Sequence, residues 1–122
     1  MEAVIEETRA FERDLRRLSP EDRRRVTEAL EKFAMGGPGS TDSRDLGRVH
    51  LSLPRGLTGT LFSLRAGRKL RVIFTAVADP VFDQYLVTAL RAVALNSYSR
   101  AIKGLAESFF QTGRASEDEA DA

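Results

Sequence analysis

Arginine is the residue type on which any chemistry of this chain turns. Between residues 44 and 100 nine bases (Arg44, Arg48, Arg55, Arg65, Arg68, Lys69, Arg71, Arg91 and Arg100) stand against three acids (Asp45, Asp79 and Asp83). That is a local excess of six positive charges in a protein whose formal net charge is +1. The guanidinium is planar, permanently charged and able to fork onto two phosphate oxygens, whereas a lysine acts as a point charge. The middle of the chain is therefore suited to a polyanion, even though the total charge is unremarkable. With no Cys the chain has no disulfide, thiolate zinc site or cysteine nucleophile. One His, His50, is too little for an imidazole-built metal site and reads as an ordinary loop residue. No cofactor is expected. The run Arg23-Arg24-Arg25, interleaved with Glu21, Glu28 and Glu31, reads as a solvated helix face.

The arginines need elements to hold them. Phe11, Leu15 and Leu18 recur at helical spacing and predict a helix over 9–18. Ser19-Pro20-Glu21-Asp22 restarts it: a serine cap, a proline at the first helical position, and two acids at the positive end of the dipole. Val26, Ala29, Leu30 and Phe33 carry a second helix to Gly36-Gly37-Pro38, so the two form a helical hairpin. GGPGSTDSR at 36–44 is a loop. Alternation then predicts a strand at 59–65, a turn at Ala66-Gly67-Arg68, a central strand over Leu70–Ala78 and a third long strand over Asp83–Val93. Segment 46–53 either pairs weakly or stays irregular, and residues 2–7 are a short extended segment or a frayed start. Helical spacing returns from Asn96 to Phe110 through Tyr98, Ile102, Leu105 and Phe109.

The expectation is one α+β domain over residues 1–110: an N-terminal helical hairpin packed on a small twisted, mainly antiparallel sheet, with a C-terminal helix. Residues 111–122, acidic and polar, form a disordered tail. Helices covering one face of the sheet leave the other face or its rim open, and that open face would present the arginines. The 122 residues with 42% apolar content suffice for a single core. No apolar run is long enough to span a membrane. The acidic start MEAVIEETRAFERD is unlike an export signal, so a cytoplasmic location is expected.

Three stretches resemble the RelE/ParE superfamily of bacterial toxins from type II toxin–antitoxin modules. They are FERDLRRL at 11–18, RDLGRVHLSLPRGLTGTLFSLRAGRKLRVIF at 44–74 and YLVTALRAVALNSYSRAIKGL at 85–105. The most telling piece runs from Leu64-Arg65 across the turn to Arg71-Val72-Ile73-Phe74. The resemblance, to the RelE-like branch in particular, implies a ribosome-dependent messenger-RNA endonuclease that needs no metal. In that chemistry the RNA 2′-OH attacks the adjacent phosphorus and leaves a cyclic phosphate. It implies Arg71 as the phosphate clamp and Arg91 as a basic position on the last strand, either the functional arginine or its neighbour, because the ungapped register is off by one. Tyr98 matches the tyrosine opening the last helix, near the attacking 2′-OH or stacked on a base. Arg65, Arg68 and Lys69 at the turn are read as RNA contacts or as a solvated rim. Where RelE carries two lysines before the turn, this chain has Leu61 and Ser63.

Partners implied by the resemblance are a cognate antitoxin, in a toxin–antitoxin hetero-oligomer, with the ribosome and messenger RNA as targets. Missing lysines favour two alternatives: a ParE-like inhibitor of DNA gyrase, or an inactive relative serving as a binding module. Each site residue also has a plain structural role open to it. Arg71 could pair with an acid on the helical hairpin, and Tyr98 could anchor its helix. Of the adjacent aromatics Phe109 and Phe110, one faces away from the core, towards an antitoxin, a second copy or solvent.

Overall fold

A period of 3.6 and a period of 2 divide this chain between helices and strands, and both kinds of element meet on one sheet. The computed structural model describes residues 2–36, 44–52 and 58–108. Strand β1 (Glu2–Glu7) is followed by helices α1 (Arg9–Arg17) and α2 (Pro20–Gly36). Strands β2 (Leu46–Ser52), β3 (Thr58–Arg65), β4 (Leu70–Asp79) and β5 (Gln84–Ala94) come next. A 3-10 turn at Leu95–Ser97 leads into helix α3, residues 98–108. The strand order is β1-β5-β4-β3-β2, antiparallel except for the parallel β1–β5 pair. The segment at 2–7 is thus an edge strand, and 46–52 pairs fully with β3. The expected tail, Phe109 and Phe110, and the loop residues 37–43 lie outside the described residues.

Capping chemistry sets the helix starts. The Thr8 hydroxyl accepts from the Phe11 N–H, and the Ser19 hydroxyl accepts from the Asp22 N–H. The helices turn at Leu18-Ser19, but each makes its main contacts with the sheet, α1 on β5 and α2 chiefly on β4. They dock as two consecutive helices more than as a mutually packed hairpin. Their apolar stripes bury Phe11, Val26, Leu30 and Phe33 against Leu64, Val72, Phe74 and Val87. Each such large side chain contributes about 1.5–3 kcal/mol by leaving water.

The opposite face is not open. Tyr98, Ile102 and Leu105 of α3 pack with buried Ala101 over Leu61, Ile73 and Val93. A sheet with two apolar faces needs cover on both, and α3 supplies the second layer. The arginines are therefore displayed at the sheet's ends and margins. Among the described residues no helix is long and apolar enough to cross a membrane.

Candidate anion-binding site

Strands β3 and β4 join through Ala66–Lys69, where Gly67 adopts φ +108°, a conformation that side-chain-bearing residues rarely take. The turn is held from several sides. The Ala66 N–H donates to the Leu70 carbonyl (3.1 Å), and the Leu95 N–H donates to the Lys69 carbonyl (2.7 Å). Arg71 Nη1 donates to the carbonyls of Leu70 (2.8 Å) and Gly67 (3.3 Å). That leaves the Nε–Nη2 edge of Arg71, a bidentate fork, without a bond among the described residues.

Arg65 and Arg71 are directly opposed across the β3–β4 ladder. Like charges in that position destabilise a strand pair. Arg68 and Lys69, both exposed, add two more cations on the same turn. Among the described residues none of the four has an acidic partner. A cluster of this kind, without a salt bridge among the described residues, is complementary to an external anion. The structure thus brings together Arg65, Arg68, Lys69 and Arg71.

Arg91 is placed differently. Its Nε donates to Asp14 Oδ2 at 2.6 Å and its Nη2 to Asp14 Oδ1 at 3.2 Å. The Ala92 N–H also donates to Asp14 Oδ2, at 3.0 Å. Chain geometry explains the arrangement. Strand β1 stops opposite Ala89, so the end of β5 loses its parallel neighbour and α1 takes over that edge. Thr8 bonds to the carbonyls of Ala89 and Leu90, and Asp14 satisfies the orphaned Ala92 N–H. Between the Ile73↔Arg91 and Phe74↔Ala89 pairs the register shifts, leaving Leu90 as the extra residue. A one-residue offset around Arg91 is what such a bulge introduces. The acid-pairing role considered for Arg71 thus falls to Arg91, and Asp14, with its side chain 10% exposed, is its partner.

Tyr98 lies over the covered face, its hydroxyl donating to Ser63 Oγ at 3.0 Å. Ser63 is buried, and Leu61 is buried beside it. The two positions that resemblance would fill with lysines are therefore core positions beneath α3. A Cβ at Gly47 would come within 2.6 Å of Ser63 Oγ, so β2 needs glycine there to let the serine reach the tyrosine. His50 pairs with Thr60 Oγ1 at 3.2 Å, on a strand pair whose other end carries the arginine turn. Arg25 pairs with Glu21 and Asp22, as expected of a solvated helix face. No group of three or more His, Cys, Asp or Glu side chains comes together among the described residues.

Sequence reasoning missed Asp14. Its signal was an acid set between the apolar positions Phe11 and Leu15, on a face shared with Ala10, Arg13 and Arg17 at i, i+3, i+4 and i+7 spacing.

Fold and site together define a small α+β protein, sheet covered on both faces, with an exposed arginine turn at one end. No family model matches the sequence, and no curated protein matches it. Among solved structures the chain is similar to one from Mycobacterium tuberculosis, the crystal structure of the toxin–antitoxin complex RelBE2, at 24% identity. The match covers 77% of this chain and 99% of the other, with a TM-score of 0.43, too low to establish a common fold by itself.

Proposed function

We propose that this chain is the toxin of a type II toxin–antitoxin pair, acting on messenger RNA at the ribosome with the Arg71 turn as its phosphate clamp. The observation that carries the reading is the opposed Arg65–Arg71 pair, joined by Arg68 and Lys69 on a braced turn, with no salt bridge to any of the four among the described residues. In the cleavage reaction the 2′ oxygen attacks phosphorus and the bond to the 5′ oxygen breaks, leaving a cyclic phosphate and a free 5′-hydroxyl. Charge on the nonbridging oxygens grows on the way to the pentacoordinate transition state. The open Nε–Nη2 edge of Arg71 suits two such oxygens, and its bonds strengthen as that charge develops. Preorganisation comes from the carbonyls that already hold Nη1. A cognate antitoxin is the protein partner in this reading, and the outer edges of β1 and β2 are where a partner segment would add a strand.

One pair of observations favours the second reading, a gyrase-binding or catalytically inactive relative. Arg91 is engaged by Asp14 and the Tyr98 hydroxyl by Ser63, so two of the three expected catalytic groups have structural partners. Induced expression separates the readings. Growth arrest with loss of intact messenger, relieved by co-expressing the adjacent gene, is expected. Arrest with an intact messenger pool and a DNA-damage response would replace the RNA reading by the gyrase one.

A further inference from the structure

Beside the arginine turn lies a second basic feature. Two adjoining hollows, about 180 and 470 Å³, share Ala10 and Arg91; the first lies between α1 and β5, and the second continues from there to α3. Arg13 and Arg17 line the first, and Arg100 lines the second. Asp14 is the acid of this lining, and its oxygens are already occupied by Arg91 and the Ala92 N–H. Arg13, Arg17 and Arg100 are exposed and have no acidic partner among the described residues. The wall is open at Gly104, where an added Cβ would meet nothing within 4 Å.

Arg91 is shaped for this cleft. Asp14 holds Nε and one N–H of Nη2, so Nη1 remains unbonded while the side chain stays 35% exposed. The carboxylate thus fixes the guanidinium plane and leaves the other edge free, which lowers the ordering cost of binding an anion there. The cleft wall adjoins the strand that carries Arg71. Val93, on its wall, is the cross-strand neighbour of Arg71, and neighbouring strands lie about 4.8 Å apart.

We infer that the α1–α3 cleft, through Arg13, Arg17, Arg91 and Arg100, is a second phosphate-binding site that holds the backbone of the same single-stranded RNA whose phosphate the Arg71 turn clamps. The inference rests on the RNA reading above and extends it to Arg13, Arg17 and Arg100, to which the resemblance assigns no role. A linear polyanion suits an open cleft whose wall adjoins the strand of another cation cluster. The walls named by side chain are aliphatic, offering no aromatic platform for a base, so contact through phosphates and little base preference are expected. Arginine at all four positions favours phosphate, which accepts a fork.

The test is binding of the full chain to a labelled single-stranded RNA oligonucleotide across a salt series. Each phosphate contact contributes about 0.7 to the salt slope for a single strand. Arg13→Ala with Arg17→Ala, both on the solvent side of α1, should weaken binding about tenfold and reduce the slope by about 1.4. Arg100→Ala, on a different element, should do the same at about half the slope change, which guards against misfolding of the α1 variant. Melting curves should be unchanged in both. Arg68→Ala with Lys69→Ala reports on the turn independently. If that variant loses affinity while the α1 and α3 variants keep wild-type affinity and slope, the cleft is not an RNA site and the turn reading stands. If wild-type protein binds no RNA, both fail. Displacement of the RNA by polyglutamate, abolished in the α1 variant, would assign the cleft to an acidic polypeptide and overturn the RNA assignment.

Discussion

Arg71 and Arg91 sit on adjacent strands, yet the chain treats their charges in opposite ways. Arg91 is locked to a mostly buried carboxylate from another element, and that carboxylate also satisfies a backbone N–H at a sheet edge. Arg71 leans on the carbonyls of its own turn and faces Arg65, and neither makes a salt bridge among the described residues. One region spends its electrostatics on holding α1 against β5. The other leaves repulsion in place, which folding alone would not favour. The difference separates an arginine held by an acid from one left with an open edge, and substitutions should separate them too.

The largest effect belongs to the clamp. In the RNA reading Arg71→Ala should lower messenger cleavage on ribosomes by about 100–1,000-fold, the usual loss for one preorganised transition-state donor. Stability should move by no more than about 0.5 kcal/mol, since surface substitutions with no buried partner rarely do more. Arg71→Lys keeps the charge but loses the fork and should recover part of the rate. Paired cleavage assays and melting curves decide. Full activity in a stably folded Arg71→Ala protein removes this residue from the site.

Next comes the anchor, where the order of effects should invert. Asp14→Ala leaves the Ala92 N–H without its acceptor and removes a charge-assisted pair. The expected cost is about 2–3 kcal/mol in denaturant unfolding. Asp14→Asn retains an acceptor for that N–H and should cost about half as much. Equal stabilities for wild type, Asn and Ala would mean that the pair does not fasten α1 to β5, and the comparison with Arg71 would collapse.

Why was the arginine turn legible in the sequence and the Asp14–Arg91 pair not? Five residues separate Arg65 from Arg71, with Gly67 in the turn between them, so alternation and a glycine placed them together. Asp14 and Arg91 are separated by 77 positions, and no local pattern announces a contact across that distance. The same limit applies to β1. Its pairing with β5 is long-range and parallel, so EAVIEE offered two readings and no way to choose. Helical spacing identified α3 as amphipathic, but periodicity does not say which surface an amphipathic helix covers. Its place over Leu61 and Ser63 emerges only when the second apolar face of β3, β4 and β5 is counted. Cover on that face moved the display of charge from a sheet surface to a sheet end.

The smallest expected effect lies on β2, the edge strand beside β3, where a third arginine is used in yet another way. Arg48 stands over the Phe62 ring, 5.7 Å from its centre, beside the cluster of Phe33, Phe74 and Tyr85. Burial of Tyr85 raises its hydroxyl pKa above the ordinary tyrosine value, and the charge of Arg48 pulls the other way without cancelling the rise. The sign follows from linkage. A group whose folded pKa lies above its unfolded one binds the proton more tightly when folded, so it adds stability that is complete below the ordinary value of 10.0. That contribution is lost as pH rises through the folded value. Unfolding followed between about pH 9 and pH 11 should therefore show a steeper fall for wild type than for Tyr85→Phe, which has no proton to lose. Arg48→Met should steepen it further, because the residue that favours the tyrosinate is gone while the apolar surroundings remain. Parallel curves for wild type and Tyr85→Phe would show that Tyr85 ionises as freely in the folded chain as in the unfolded one. Arg48 would then lack even this modest electrostatic role, and the contrast among the three arginines would reduce to the anchor and the clamp.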